Sequence, residues 1–93
     1  MNNYEAVFIV NPDLENEALD EEVNKIKELV TKEEGDVGSV EAWGKRRLAY
    51  SIDKKAEAHY LLFTFKAKPA SIKRMKDIFR LNDNIMRELI IKK

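Results

Sequence analysis

Three consecutive cations stand between two aromatic residues in Trp43-Gly44-Lys45-Arg46-Arg47-Leu48-Ala49-Tyr50, within a stretch of otherwise strand-like composition. The planar guanidinium groups of Arg46 and Arg47 suit bidentate recognition of carboxylates or phosphates, and no apolar interior accepts such a run unpaired. A plainer role is equally open at this point. Charges on a sheet edge keep it from pairing with another copy of itself, and an edge kept soluble in this way still has room for a partner strand or an acidic surface. Other chemistry has little to work with. The chain has no cysteine, which removes thiolate metal sites, disulfides and thiol nucleophiles. His59 is the only histidine and has no companion at metal-ligand spacing, so a structural or surface role is expected of it, with no catalytic residue, metal or cofactor. The segment after the first apolar run, Asn11-Pro12-Asp13-Leu14-Glu15, has neither a glycine-rich anion cradle nor an arginine, so a phosphate-handling enzyme site is not expected there.

Residues 37–52 read as a long edge strand, with Val37, Val40, Trp43, Leu48, Tyr50 and Ile52 as its apolar members and a bend or bulge expected at Gly44. The remaining elements have to support it. Residues 4–10 form a strand that is apolar on both alternating sets, as a central strand would be. The Asn-Pro-Asp break and the acids Glu15 and Glu17 suit a helix start; Leu19, Val23, Ile26 and Val30 then recur at helical spacing, with Gly35 placed to cap the end. Glu21 with Lys25 and Glu28 with Lys32 are spaced to pair on the wet face of that helix. A polar turn is expected around Asp53, Lys54 and Lys55. It leads into a strand over 59–67 whose Leu61, Phe63, Phe65 and Ala67 should face the core, leaving only Tyr60 as an outward aromatic. Pro69 and Ser71 open a second helix with Ile72, Met75, Ile78 and Phe79 as its apolar stripe, and Asn82-Asp83-Asn84 precedes a last strand over 85–92.

The order is βαββαβ, an α+β arrangement in which a four-stranded antiparallel sheet carries both helices on one face, the ferredoxin-like fold, as a single domain over residues 1–93. The first and third strands are then central, and the second and fourth are edges. Net charge is zero, yet residues 13–36 carry ten acids against three lysines, while residues 44–93 carry fourteen lysines and arginines against five acids. Such asymmetry points to an acidic or nucleic-acid partner for the basic half. Neither a basic, apolar leader nor an apolar run of membrane-spanning length is seen, so a cytoplasmic protein with no membrane partner is expected. With no RNP1-type pattern in the third strand, RNA contacts are expected from arginine and lysine to phosphates, not from base stacking.

Tyr4-Glu5, Asn11-Pro12, Trp43-Gly44-Lys45-Arg46-Arg47-Leu48-Ala49-Tyr50 with Ile52, and Arg80-Leu81-Asn82-Asp83-Asn84-Ile85 with Arg87 resemble bacterial small-subunit ribosomal protein six across nearly the whole chain. The resemblance implies a ferredoxin-like structural constituent of the small ribosomal subunit. It also implies a heterodimer with ribosomal protein eighteen on the central domain of small-subunit ribosomal RNA, and no small-molecule substrate. By the same resemblance Trp43, Lys45, Arg46, Arg47 and Tyr50 form the protein-partner edge, and Arg87, Lys92 and Lys93 are RNA-binding candidates. Asn2 and Asn3 depart from relatives that are basic there, so no N-terminal phosphate contact is carried over. The competing expectation is a free-standing regulatory or catalytic ferredoxin-like domain.

Overall fold

Four strands and two helices alternate in the computed structural model, which describes residues 1–52 and 54–93: β1 (Asn2–Val10), α1 (Asn16–Lys32), β2 (Asp36–Ile52), β3 (Lys55–Ala67), α2 (Pro69–Arg80) and β4 (Ile85–Lys92). All pairings are antiparallel and the strand order is β2-β3-β1-β4, so β2 and β4 are the edges, as the charge pattern demands. The alternation expected of β1 and β3 holds. Tyr4, Ala6, Phe8 and Val10 pack with Leu61, Phe63, Phe65 and Ala67 into one core with Ile26 and Val30 of α1 and Met75 and Phe79 of α2. Phe8 is its centre, meeting Phe63 and Phe79 edge to face at 5.3 and 4.8 Å between ring centroids.

Several local expectations are corrected. β3 begins at Lys55, not His59; of the polar turn expected around Asp53, Lys54 and Lys55, Lys54 is a turn residue with φ 65°, Lys55 already belongs to β3, and Asp53 lies outside the described residues. Neither helix has a side-chain cap. Asn11 Oδ1 accepts from the Asp13 amide, Asp13 pairs with Lys55, and Ser71 Oγ donates to the Glu33 carbonyl at 3.3 Å. Ile78 is exposed where an apolar stripe residue was expected, and Ser71 is buried instead, because that side of α2 packs on the end of α1. The end of α1 has a Schellman arrangement, Glu34 N–H to Thr31 O at 3.0 Å and Gly35 N–H to Val30 O at 2.8 Å, with Glu34 in the left-handed region (φ 64°). Gly35 is needed for a different reason than capping. A Cβ there would stand 2.7 Å from the Lys66 carbonyl oxygen and 2.9 Å from Val30 Cγ1.

The acids of α1 are not all on its wet face. Glu22 is only 2 % exposed, and Lys25 turns to it at 3.3 Å, not to Glu21. No ion pair joins Glu28 and Lys32. Asn82 Nδ2 donates to Glu22 Oε2 at 2.9 Å and Asn84 Nδ2 to Oε1 at 3.0 Å, while Asn82 Oδ1 accepts from the Asn84 amide. One buried carboxylate thus holds the turn that launches β4. At the opposite end, Arg74 Nε donates to Glu33 Oε1 at 2.9 Å and Lys68 pairs with Glu34. The start of α1 therefore meets the end of α2 and the end of α1 meets the start of α2, which fixes the helices as an antiparallel pair.

Burial opposes ionisation of Glu22, yet the hydrogen bonds from Asn84, Asn82 and Lys25, with the lysine charge, outweigh it and hold its carboxyl below the ordinary glutamate range. A depressed folded value contributes stability that is complete above the ordinary range and lost as pH falls through the folded value. Glu22→Gln, which presents an amide to two amide donors, is expected to cost about 1–3 kcal/mol in a denaturant titration at neutral pH. The gap from the parent protein should narrow on acidification. At the other end of α1, Glu34→Gly should raise the melting temperature by relieving a strained backbone worth roughly 1 kcal/mol, whereas Gly35→Ala should lower it.

Candidate partner and nucleic-acid interface

β1 pairs with β3 only as far as Val10 opposite His59, so residues 55–58 of β3 have β2 as their single neighbour. Residues 45–52 of β2 pair with nothing on their other side. Together they form a two-stranded arm that projects past the four-stranded sheet, and such a hairpin has little stability of its own. Nearly every residue of β2 is exposed from Glu41 onward, Tyr50 at 66 % and Trp43 at 44 %. The expected irregularity at Gly44 is present. Ala42 opposes Leu61 and Gly44 opposes Tyr60, so Trp43 is the extra residue of a bulge in which Gly44 adopts φ +79°. Two other breaks in register lie between Val37 and Ser39 and between Arg47 and Ile52, and at the latter the strand edge becomes irregular.

The cations of the arm do not share one face. Lys45 lies opposite His59 and lines a hollow with Pro12, Asp13, Leu14, Glu15 and Asn16. Lys55 is bound to Asp13, whose carboxyl is held below the ordinary aspartate range by that hydrogen bond and charge, so the arm is braced against the β1–α1 connection. His59 is buried, its Nε2 3.0 Å from the Leu14 carbonyl, which makes it part of the same brace. Arg46 turns to the sheet face away from the helices and shares an open hollow of about 440 Å³ with Trp43 and Tyr60. The indole and phenol rings are stacked there, 6.5 Å between centroids and 10° from parallel. Tyr60 is the one outward aromatic of β3, as expected, since Phe63 and Phe65 lie in the core. Trp43 of β2 joins it because Glu41, two residues earlier, stands opposite Leu62 on the same outward face, and that register was not legible in the sequence.

The RNA-binding candidates are divided by the structure. Arg87 lies near the start of β4, in a hollow with Ile52, Arg80, Met86 and Glu88, so it is beside the tip of the arm. Lys92 and Lys93 are at the far end of β4, five or six residues on, or roughly 16–20 Å at 3.3 Å per residue. Lys93 is paired with Glu5 at 3.0 Å. The exposed edge cations and Arg87 thus gather at one end of the molecule. No cluster of three metal-ligating side chains occurs among the described residues.

The family model "Ribosomal protein S6" matches residues 3–92. Small ribosomal subunit protein bS6 of Clostridium novyi is 42% identical over 91 residues, covering 98% of this chain and 96% of that protein. The protein of the same name from Clostridium acetobutylicum is 44% identical with the same coverage. The crystal structure of 30S ribosomal protein S6 from Thermotoga maritima superposes with a TM-score of 0.93 at 25% identity, covering 99% of this chain and 87% of that one. The C-terminal domain of the MgtC protein from Mycobacterium tuberculosis matches with a TM-score of 0.66 at 10% identity, a likeness of fold alone.

With a backbone edge left open over residues 45–52, the charges of Arg46 and Arg47 oppose its pairing with a second copy. Replacing Arg46 and Arg47 together by valine is expected to produce concentration-dependent dimers or larger species in sedimentation velocity at concentrations where the parent protein is monomeric. The double lysine variant should stay monomeric.

Proposed function

The chain belongs to the ribosomal protein S6 family and is a structural constituent of the small ribosomal subunit, and we propose that within the subunit it binds the central domain of small-subunit ribosomal RNA as a heterodimer with ribosomal protein eighteen. It is a ribosomal protein of the cytoplasm and not an enzyme. The observation that carries the proposal is the unpaired arm of β2, a strand edge with free backbone donors and acceptors and cations on both faces.

The partner edge consists of Trp43, Lys45, Arg46, Arg47 and Tyr50 on β2. Its backbone accepts an added segment of the partner protein, and Lys45 and Arg47 meet that segment's carboxylates or carbonyls. RNA is met through phosphates by Arg87 beside the arm, and by Lys92 and Lys93 at the other end of β4. Division of labour between two proteins accounts for a net charge of zero in an RNA-bound chain, since the partner supplies cations that this one lacks.

In a gradient of cell lysate the protein should migrate with small subunits. A steady position at the top of the gradient would remove the ribosomal reading for this chain. The isolated protein should bind small-subunit RNA weakly, with affinity falling steeply between about 50 and 200 mM salt. Adding ribosomal protein eighteen should restore tight binding, and Arg46→Ala with Arg47→Ala should weaken the heterodimer. Nanomolar, salt-insensitive binding by the chain alone would contradict the division of labour.

A further inference from the structure

Trp43, the chain's single tryptophan, is 44 % exposed on the sheet face away from the helices. It is also held in place. Its Nε1 donates to Glu41 Oε2 at 3.1 Å, one face lies along Tyr60, and the bulge at Gly44 sets its backbone. A fixed aromatic plane beside the Arg46 guanidinium, in a hollow lined by these three residues, matches a ligand that combines a flat π-system with negative charge. From these observations we propose that Trp43, Tyr60 and Arg46 form a stacking platform for one unpaired RNA base, with Arg46 pairing the adjoining phosphate. This rests on the reading that the chain lies against ribosomal RNA.

The placement separates two surfaces of one strand. The backbone edge of β2 points along the sheet plane, where a protein segment would add, whereas the platform lies on the face away from the helices. Trp43 and Arg46 belong to both surfaces, their backbone to the edge and their side chains to that face. A basic or proline-rich peptide would also lie on an indole, but Arg46 repels the first and gains nothing from the second, so the charge beside the rings favours the nucleotide. Base stacking of this kind tolerates any base, because every base has a π-face, and needs no outward RNP1 aromatics in β3.

The test uses the full-length chain and two probes of equal length and charge, a short adenine-rich single-stranded RNA and an abasic ribose-phosphate oligomer, both labelled for anisotropy. Absolute binding is weak and salt-sensitive, so the platform is read from the ratio of the two affinities. The RNA should bind about tenfold tighter than the abasic oligomer and quench the Trp43 emission. Trp43→Leu should abolish that ratio without changing abasic binding, and Arg46→Gln should weaken both probes. Circular dichroism confirms that each variant is folded, and Tyr60→Leu, which leaves the tryptophan in place, should reduce the ratio as well. Equal affinity of the parent protein for both probes, or a ratio that survives Trp43→Leu, overturns the platform. Migration of the parent protein with small subunits is scored separately, so loss of the platform and loss of the ribosomal reading are distinguishable.

Discussion

The lengths of the strands do not match, and the open arm of β2 and β3 is a consequence of that mismatch. β1 and β4 have nine and eight residues, whereas β3 has thirteen and β2 seventeen. A four-stranded sheet backed by helices can extend no farther than its shorter strands. Everything beyond them must be satisfied by one neighbouring strand and by solvent. Over residues 43–52 several devices against unwanted pairing occur together, with charge on both faces, a bulge at Trp43 and Gly44 and an irregular register beyond Arg47. The same features leave hydrogen-bonding groups free for a chosen partner.

The helices sit behind the sheet as an antiparallel pair clamped at both ends, and the clamps determine what stands next to the arm. Glu22 holds Asn82 and Asn84, so β4 starts beside Val10 and Arg87 lies next to Ile52 at the arm's tip. A buried carboxylate with three donors is a demanding device, since removing any partner leaves polar groups stranded. Its gain is positional. The arm is steadied from the other side by Asp13 with Lys55 and by His59 with the Leu14 carbonyl, two contacts that join it to the β1–α1 connection.

Strand order, core faces and the edge position of β2 were legible in the sequence because they follow from periodicity and from charge, which act over many residues and average out local exceptions. The details that depend on a single long-range contact were not legible. Nothing in the pattern of α1 distinguishes Glu22 from the exposed acids around it, because its partners are sixty residues away. Gly35 read as a cap for the same reason, whereas its role is to let the Lys66 carbonyl approach. The cation run marked β2 as a sheet edge, but the contact of Trp43 with Tyr60 depends on the register between β2 and β3, with Glu41 opposite Leu62 and Gly44 opposite Tyr60, which the sequence does not display. Likewise Arg87 and Lys92 are close in sequence and belong to opposite ends of the molecule.

Amide hydrogen exchange over residues 45–52 addresses the central claim most directly, that this arm is an interface left open in the isolated chain. In the free protein those amides should exchange rapidly while β1 and the paired part of β3 are protected, and in the assembled small subunit they should become protected to the level of the sheet. Equal, rapid exchange of residues 45–52 in both states would mean that the arm stays unoccupied in the ribosome, and the account of β2 as a partner edge would be wrong.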